Sequence, residues 1–258
     1  MEKPDRELRR RRFPLGTEMV RQGERGDRAW LLENGRVDVL VTGTRGDTHK
    51  VASVGRGAII GEMALIDDGP RSATVQVIAE VDCLELDRET FKLLLSRCQP
   101  LGAYLLESLV AAIRRAYGLP PGERVEGGAI IRSVRDFTKI LDRRVYAAGH
   151  VFFNQDDPAT TAYLIQSGRV SILRRGERGM EELGPLGPGR IFGELALLNA
   201  DLRRATAAAA TQTVCEVVTK ETFDAVIAAM PPILRALTKI YVGQLSAPPK
   251  ALLAPPRQ

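Results

Sequence analysis

The chain has 258 residues, 44% hydrophobic and 27% charged, with a formal net charge of +5 and a pI near 9.3. That length accommodates two domains of ordinary size, each with its own core, in a composition typical of globular proteins. No apolar run approaches the roughly eighteen residues a bilayer span requires, and Met1-Glu2-Lys3-Pro4-Asp5-Arg6 lacks the apolar centre of a signal peptide, so a cytoplasmic location without a membrane partner is expected.

Residues 1–12 are polar and basic, ending in Arg9-Arg10-Arg11-Arg12, and read as a frayed arm or a short first helix. This cluster and Arg174-Arg175 fit a solvated face or an acidic protein as well as they fit nucleic acid, so charge alone selects no partner. From Phe13 onward short apolar segments alternate with glycines, the punctuation of an antiparallel sandwich or barrel. Ala29-Trp30-Leu31-Leu32 and Val37-Asp38-Val39-Leu40-Val41 flank Asn34-Gly35, which predicts a tight hairpin. The same pattern returns in Ala162 to Ile165, Ser167-Gly168 and Val170 to Leu173.

Gly61-Glu62-Met63-Ala64-Leu65-Ile66-Asp67-Asp68-Gly69-Pro70-Arg71-Ser72-Ala73-Thr74 is written twice. The second copy, Gly193-Glu194-Leu195-Ala196-Leu197-Leu198-Asn199-Ala200-Asp201-Leu202-Arg203-Arg204-Ala205-Thr206, matches without a gap at an offset of 132, with seven identical places. The preceding segments match at 133, so one residue is lost in a connection, as expected for a duplicated domain. Each copy is followed by an expected strand pair. Asp87 and Thr219 then stand as helix N-caps before Glu-Thr-Phe, and Pro100 and Pro231-Pro232 start second helices. In the first repeat that second helix carries Leu101, Leu105, Leu109 and Ile113 on one stripe and runs to about Tyr117.

Prolines and glycines at 118–122 and 127–128 mark a linker. Ile130, Val134, Phe137 and Leu141 predict a helix before the second repeat, and the Pro-containing end after Leu245 reads as a disordered tail. The expected domains are 1–118 and 129–258, with 119–128 between them. Cys83 and Cys215 fall at equivalent strand places and read as small buried side chains; no cysteine or histidine pattern suggests a metal.

Physically, the repeated stretch suggests backbone N–H groups and one cation around an anion. Gly61 allows close approach, and Arg71, ten residues on, can return across the turn to pair with a phosphate through its planar fork. Glu62 would repel a bare phosphate. A ligand with a hydroxyl beside its phosphate resolves the conflict, since a carboxylate is a strong acceptor, and a ribose with a free 2′-OH and a 3′-linked phosphate is such a ligand.

Gly-Glu-Met-Ala-Leu, the turn ending in Pro70-Arg71, and Ser-Ala-Thr together resemble the phosphate-binding cassette of cyclic nucleotide-binding domains. The resemblance covers nearly the whole chain. It implies a mainly β fold with flanking helices, as two tandem eight-stranded antiparallel β-rolls of jelly-roll type. It also implies that Glu62 accepts from the ribose 2′-OH, that Arg71 pairs with an exocyclic phosphate oxygen, and that Gly61, Met63, Ala64 and Ser72 supply backbone or hydroxyl contacts. In the second copy Gly193, Glu194, Leu195, Ala196 and Arg203 carry over. Leu202 replaces the proline, and Arg204 stands in the place of Ser72, where it could add a phosphate contact, point to solvent or obstruct the pocket. Ser72 could bond the phosphate or help recognise a guanine amino group; Pro70 and the overall pattern favour cyclic AMP over cyclic GMP. Tyr104, Tyr117 and Tyr241 are candidates for an aromatic lid.

The expected function is a cyclic-nucleotide sensor whose helices move on binding and signal to a separate protein partner. No nucleophile–base pair or Lys-containing phosphate loop suggests catalysis, and no catalytic cofactor is expected. The bacterial activators of this family add a helix-turn-helix, for which the stretch beyond Leu245 is too short, so nucleic acid is disfavoured. The alternative is a ligand-free β-roll scaffold.

Overall fold

In a computed structural model, residues 9–43, 46–122, 142–176, 179–199 and 201–246 are described. They cluster into two compact units, one holding residues 9–98, 109–122 and 243–246 and the other 99–108 and 142–242. The helix expected around Ile130 to Leu141 and the tail beyond Leu245 lie outside the described residues, apart from Ser246.

The strands of the first unit are β1 (Arg9–Phe13), β2 (Glu18–Val20), β3 (Arg28–Thr42), β4 (Thr48–Gly55), β5 (Ile59–Ile60) and β6 (Thr74–Asp87). They form one antiparallel sheet ordered β1-β6-β3-β4, with β2 on β6 and β5 on β3. The sheet curls around a core that includes Trp30, Leu32, Val37, Val77, Val81 and Cys83. Phe13 closes one end, with its ring edge-on to Trp30 at 6.0 Å between centroids.

Two sequence expectations are corrected here. Arg9 to Phe13 form a strand, pairing residue by residue with Glu85 to Val81, and are neither arm nor helix. At the surface of the sheet the arginines meet carboxylates of β3 and β6: Arg10 faces Glu33 at 3.5 Å, Arg11 donates to Glu85 at 3.1 Å, and Arg12 meets Glu80 and Asp82. Much of that basic cluster is therefore answered within the protein. The hairpin expected at Asn34-Gly35 is absent as well. β3 runs straight through it for 15 residues against the 14-residue β6, with register shifts between Leu32 and Val37. Gly35, at φ +86°, makes the bend, and a Cβ there would lie 2.2 Å from the Glu80 carbonyl oxygen. A bulge with a positive-φ glycine turns a strand without ending it. The strand pair expected after the first cassette is the same β6 in one piece.

In the second unit the strands are β7 (Asp142–Tyr146), β8 (Val151–Phe153), β9 (Thr161–Ser167), β10 (Val170–Gly176), β11 (Gly179–Leu186), β12 (Ile191–Phe192), β13 (Thr206–Ala209) and β14 (Thr213–Thr219). They make two four-stranded antiparallel sheets, β11-β10-β13-β8 and β12-β9-β14-β7. β9 and β10 pair in different sheets, so Gly168 marks a corner where the chain changes sheet. Among the described residues the second unit thus has eight strands, whereas in the first β3 and β6 each run through two strand positions.

Helices α1 (Met63–Ile66), α2 (Arg88–Ser96) and α3 (Pro100–Ala116) belong to the first repeat, and α4 (Glu194–Asn199), α5 (Lys220–Ala229) and α6 (Pro232–Ser246) to the second. The expected caps are present: the Asp87 carboxylate accepts from Thr90 N–H at 2.7 Å and the Thr219 hydroxyl from Thr222 N–H at 3.3 Å. Prolines open α3 and α6, and the stripe Leu101, Leu105, Leu109 and Ile113 is buried. Cys83 and Cys215 are fully buried within their rolls, and burial pushes their thiols up to about 11 and about 12.

Candidate functional site

The first cassette brings Gly61, Glu62, Met63, Ala64 and Arg71 together. Gly61 follows β5 at φ +81° and turns the chain into α1. Arg71 is only 6% exposed, and its Nη1 donates to the Gly61 carbonyl at 2.6 Å. Its backbone is held from both sides, with Arg71 N–H donating to Glu24 O at 2.8 Å and Gly23 N–H donating to Arg71 O at 3.0 Å. The guanidinium carbon lies 5.5 Å from the Trp30 ring centroid. Burial pulls its pKa down, and the carboxylates of Glu62 and Asp27 push it back up. A desolvated cation held next to two carboxylates keeps its charge.

No hydrogen bond joins Nε or Nη2 of Arg71 to a described residue. An arginine edge carrying two parallel N–H groups matches a carboxylate or phosphate. Glu62 is half-buried, as is Ser72. Met63 and Ala64 are buried.

The second cassette repeats the plan. Gly193 lies at φ +83°, Arg203 is 3% exposed, and Arg203 Nη1 donates to the Gly193 carbonyl at 2.8 Å. Its backbone also bonds on both sides, from Arg203 N–H to Asp157 O at 2.9 Å and from Asp156 N–H to Arg203 O at 2.8 Å. Glu194 and Leu195 are half-buried and Ala196 is buried. Two differences stand out. Nη2 of Arg203 donates to the Thr161 carbonyl at 2.6 Å, and its guanidinium carbon sits 4.0 Å over the Phe153 ring. Only Nε is left, buried and without a partner among the described residues. Arg204 is exposed and donates to Asp201 at 3.2 Å. Leu202 is exposed and forms a bridge with Pro158.

Several contributors escape a reading of the cassette alone. A Cβ on Gly26 would fall 2.1 Å from the Arg71 guanidinium carbon, so that glycine makes room for the cation. Trp30, Thr161 and Phe153 reach the arginines from strands forty or more residues upstream, beyond the range of local spacing. The repeated Thr74 and Thr206, by contrast, are structural: each hydroxyl accepts from the backbone N–H of a glutamine, Gln22 or Gln155, at 3.0 Å. Of the lid candidates, Tyr104 and Tyr241 are buried and Tyr117 is half-buried.

Two rolls, each with a buried arginine returned to a glycine ten residues earlier, define a tandem module of one family. The cyclic nucleotide-binding domain matches residues 10–98 and again 143–230, and the chain belongs to that family. Among curated relatives it is 30% identical over 232 residues to the cAMP-dependent protein kinase regulatory subunit of Blastocladiella emersonii, covering 90% of this chain and 55% of that protein. It is 30% identical over 229 residues to the Neurospora crassa protein of the same name, covering 85% and 56%. The chain therefore spans about half the length of the curated relatives it matches. Among solved structures, the regulatory domain of Toxoplasma gondii PKA with cAMP aligns over 90% of this chain and 85% of that one, at 21% identity and a TM-score of 0.36.

Proposed function

We propose that the protein is a non-catalytic cyclic-nucleotide sensor of the kinase regulatory-subunit type, with cyclic AMP preferred over cyclic GMP. The observation that carries this reading is Arg71, desolvated, held to Gly61 and flanked by Glu62, with two N–H directions unfilled by described residues. A cyclic phosphate takes the guanidinium edge, and the ribose hydroxyl beside it takes the Glu62 carboxylate. The names of the relatives support a regulatory role and a separate protein partner. Ligand binding signals by favouring one position of α2 and α3 over another, which requires only different affinities for the two arrangements. The second cassette takes the same ligand class more weakly, because Thr161 already occupies Nη2 of Arg203.

The test is calorimetric titration of the full chain with cyclic AMP and cyclic GMP, alongside Arg71→Ala. Cyclic AMP should bind tighter than cyclic GMP, and Arg71→Ala should abolish the tighter of the two binding events. No binding of either nucleotide to folded protein overturns the assignment, as does an Arg71→Ala variant that titrates like wild type.

A further inference from the structure

A buried ion pair, Asp67 with Arg114, is built into the turn of the first cassette. Asp67 ends α1 with its N–H donating to the Met63 carbonyl at 3.1 Å, and its Oδ1 accepts from Gly69 N–H at 3.0 Å. Arg114, in the last turn of α3, donates from Nε to Asp67 Oδ2 and from Nη2 to Asp67 Oδ1 at 3.0 Å. The same Nη2 donates to the Pro70 carbonyl at 2.8 Å, and Nη1 donates to the Pro120 carbonyl at 3.0 Å. Arg114 is 1% exposed and Asp67 6%.

One guanidinium therefore holds both ends of the turn that joins α1 to Arg71. Pro70 O belongs to the peptide group whose nitrogen is that of Arg71, so fixing this carbonyl fixes where the cassette arginine leaves the turn. The turn has little slack. A Cβ on Gly69 would fall 2.7 Å from Arg114 Nη2 and 2.8 Å from Gly122 Cα. A bidentate arginine is geometrically demanding, and a displaced partner leaves a buried charge unanswered. Small displacements of the last turn of α3 must carry the turn along or break the pair. At the 132-residue offset, the second repeat has Asn199 in place of Asp67 and Ser246 in place of Arg114, so its sequence cannot form this clamp.

We infer that Arg114 is a positioning residue for the first cassette: through Asp67 and Pro70 it sets where Arg71 sits, and so ties ligand affinity there to the last turn of α3. This rests on the reading of the cassette as a cyclic-nucleotide site.

The experiment uses the full chain in an Arg203→Ala background, which isolates the first cassette. Cyclic AMP is titrated into the parent, Arg71→Ala, Arg114→Lys, Asp67→Asn and the neutral double variant Asp67→Asn/Arg114→Gln, with urea unfolding of each. Losing charge-assisted bonds at the clamp should raise the Kd of Asp67→Asn and Arg114→Lys by about tenfold or more. The neutral double variant removes the unpaired buried charge and should regain stability without regaining affinity. It also carries the test if a single variant does not fold. Wild-type affinity in folded clamp variants, or affinity that recovers in step with stability in the double variant, overturns the inference and leaves a purely structural pair. If the parent does not bind, or if Arg71→Ala binds as well as the parent, the cassette reading itself fails. If Arg71→Ala alone loses binding, only the clamp fails.

Discussion

Gly61 and Gly35 have nearly the same backbone but different surroundings, which makes their alanine variants a matched pair. Their φ angles are +81° and +86°, so each substitution carries the same left-handed penalty of about 1–2 kcal/mol. At Gly61 the new Cβ would lie 2.4 Å from Arg71 Nη1, the end of a side chain that can swing aside, and 3.2 Å from the Arg28 carbonyl oxygen. Swinging aside breaks the 2.6 Å bond from Arg71 to the Gly61 carbonyl, a charge-assisted contact of about 1.5–3 kcal/mol. At Gly35 the Cβ would lie 2.2 Å from Glu80 O and 2.7 Å from Val81 Cα, both backbone. There relief requires β3 and β6 to part, at about 1 kcal/mol for each ladder bond lost, giving a total of about 4 kcal/mol. Urea unfolding and cyclic AMP titration should therefore separate the two. Gly61→Ala is expected to raise the Kd by about 10–100-fold with a stability loss of about 2.5–5 kcal/mol. Gly35→Ala is expected to cost a comparable amount of stability, about 4 kcal/mol, while keeping the Kd within about threefold where the protein is folded. A Gly61→Ala protein with wild-type affinity would show that the placement of Arg71 against Gly61 does not govern the site.

The thiols give a pH-dependent test. Unfolded cysteines ionise near 9.0, whereas burial pushes Cys83 up to about 11 and Cys215 up to about 12. The unfolded chain therefore releases protons first, so this contribution to stability is intact below pH 9 and is lost as pH rises through 11 to 12. Urea midpoints stepped across that window should fall more steeply for wild type than for Cys83→Ala/Cys215→Ala, and equal slopes would refute the effect. With a thiol reagent at pH 8, half-buried Cys98 should react before the other two, as mass spectrometry of early time points can show. At the head of α2, Asp87→Ala removes the 2.7 Å bond from Thr90 N–H and should cost about 1 kcal/mol in chemical denaturation.

What the sequence discloses depends on how far the deciding partner lies along the chain. The ten-residue return from Gly61 to Arg71, the caps at Asp87 and Thr219, and the prolines opening α3 and α6 are local devices, and each is found where spacing places it. Asn34-Gly35 has the composition of a hairpin, but its fate is set by Glu80 and Val81, forty-odd residues on, which hold β3 in one piece. Arg9 to Arg12 are exposed, as a solvated cluster would be, but that they form a strand is decided by their pairing with the distant β6. Arg114 looks like an ordinary basic residue near a helix C-terminus. Its apolar neighbours Leu109 and Ile113 reveal the buried stripe, but nothing nearby in sequence announces Asp67. The same holds for the inequality of the two cassettes. The motif locates it at Leu202 and Arg204, yet both of these face solvent. The residues that distinguish Arg203 from Arg71 are Thr161, whose carbonyl takes one N–H edge, and Phe153, whose ring covers the guanidinium face. Both sit on strands that the motif does not contain. A duplicated motif therefore establishes two arginines in the same posture, while the N–H groups left open on each are decided by what the rest of its roll places around it.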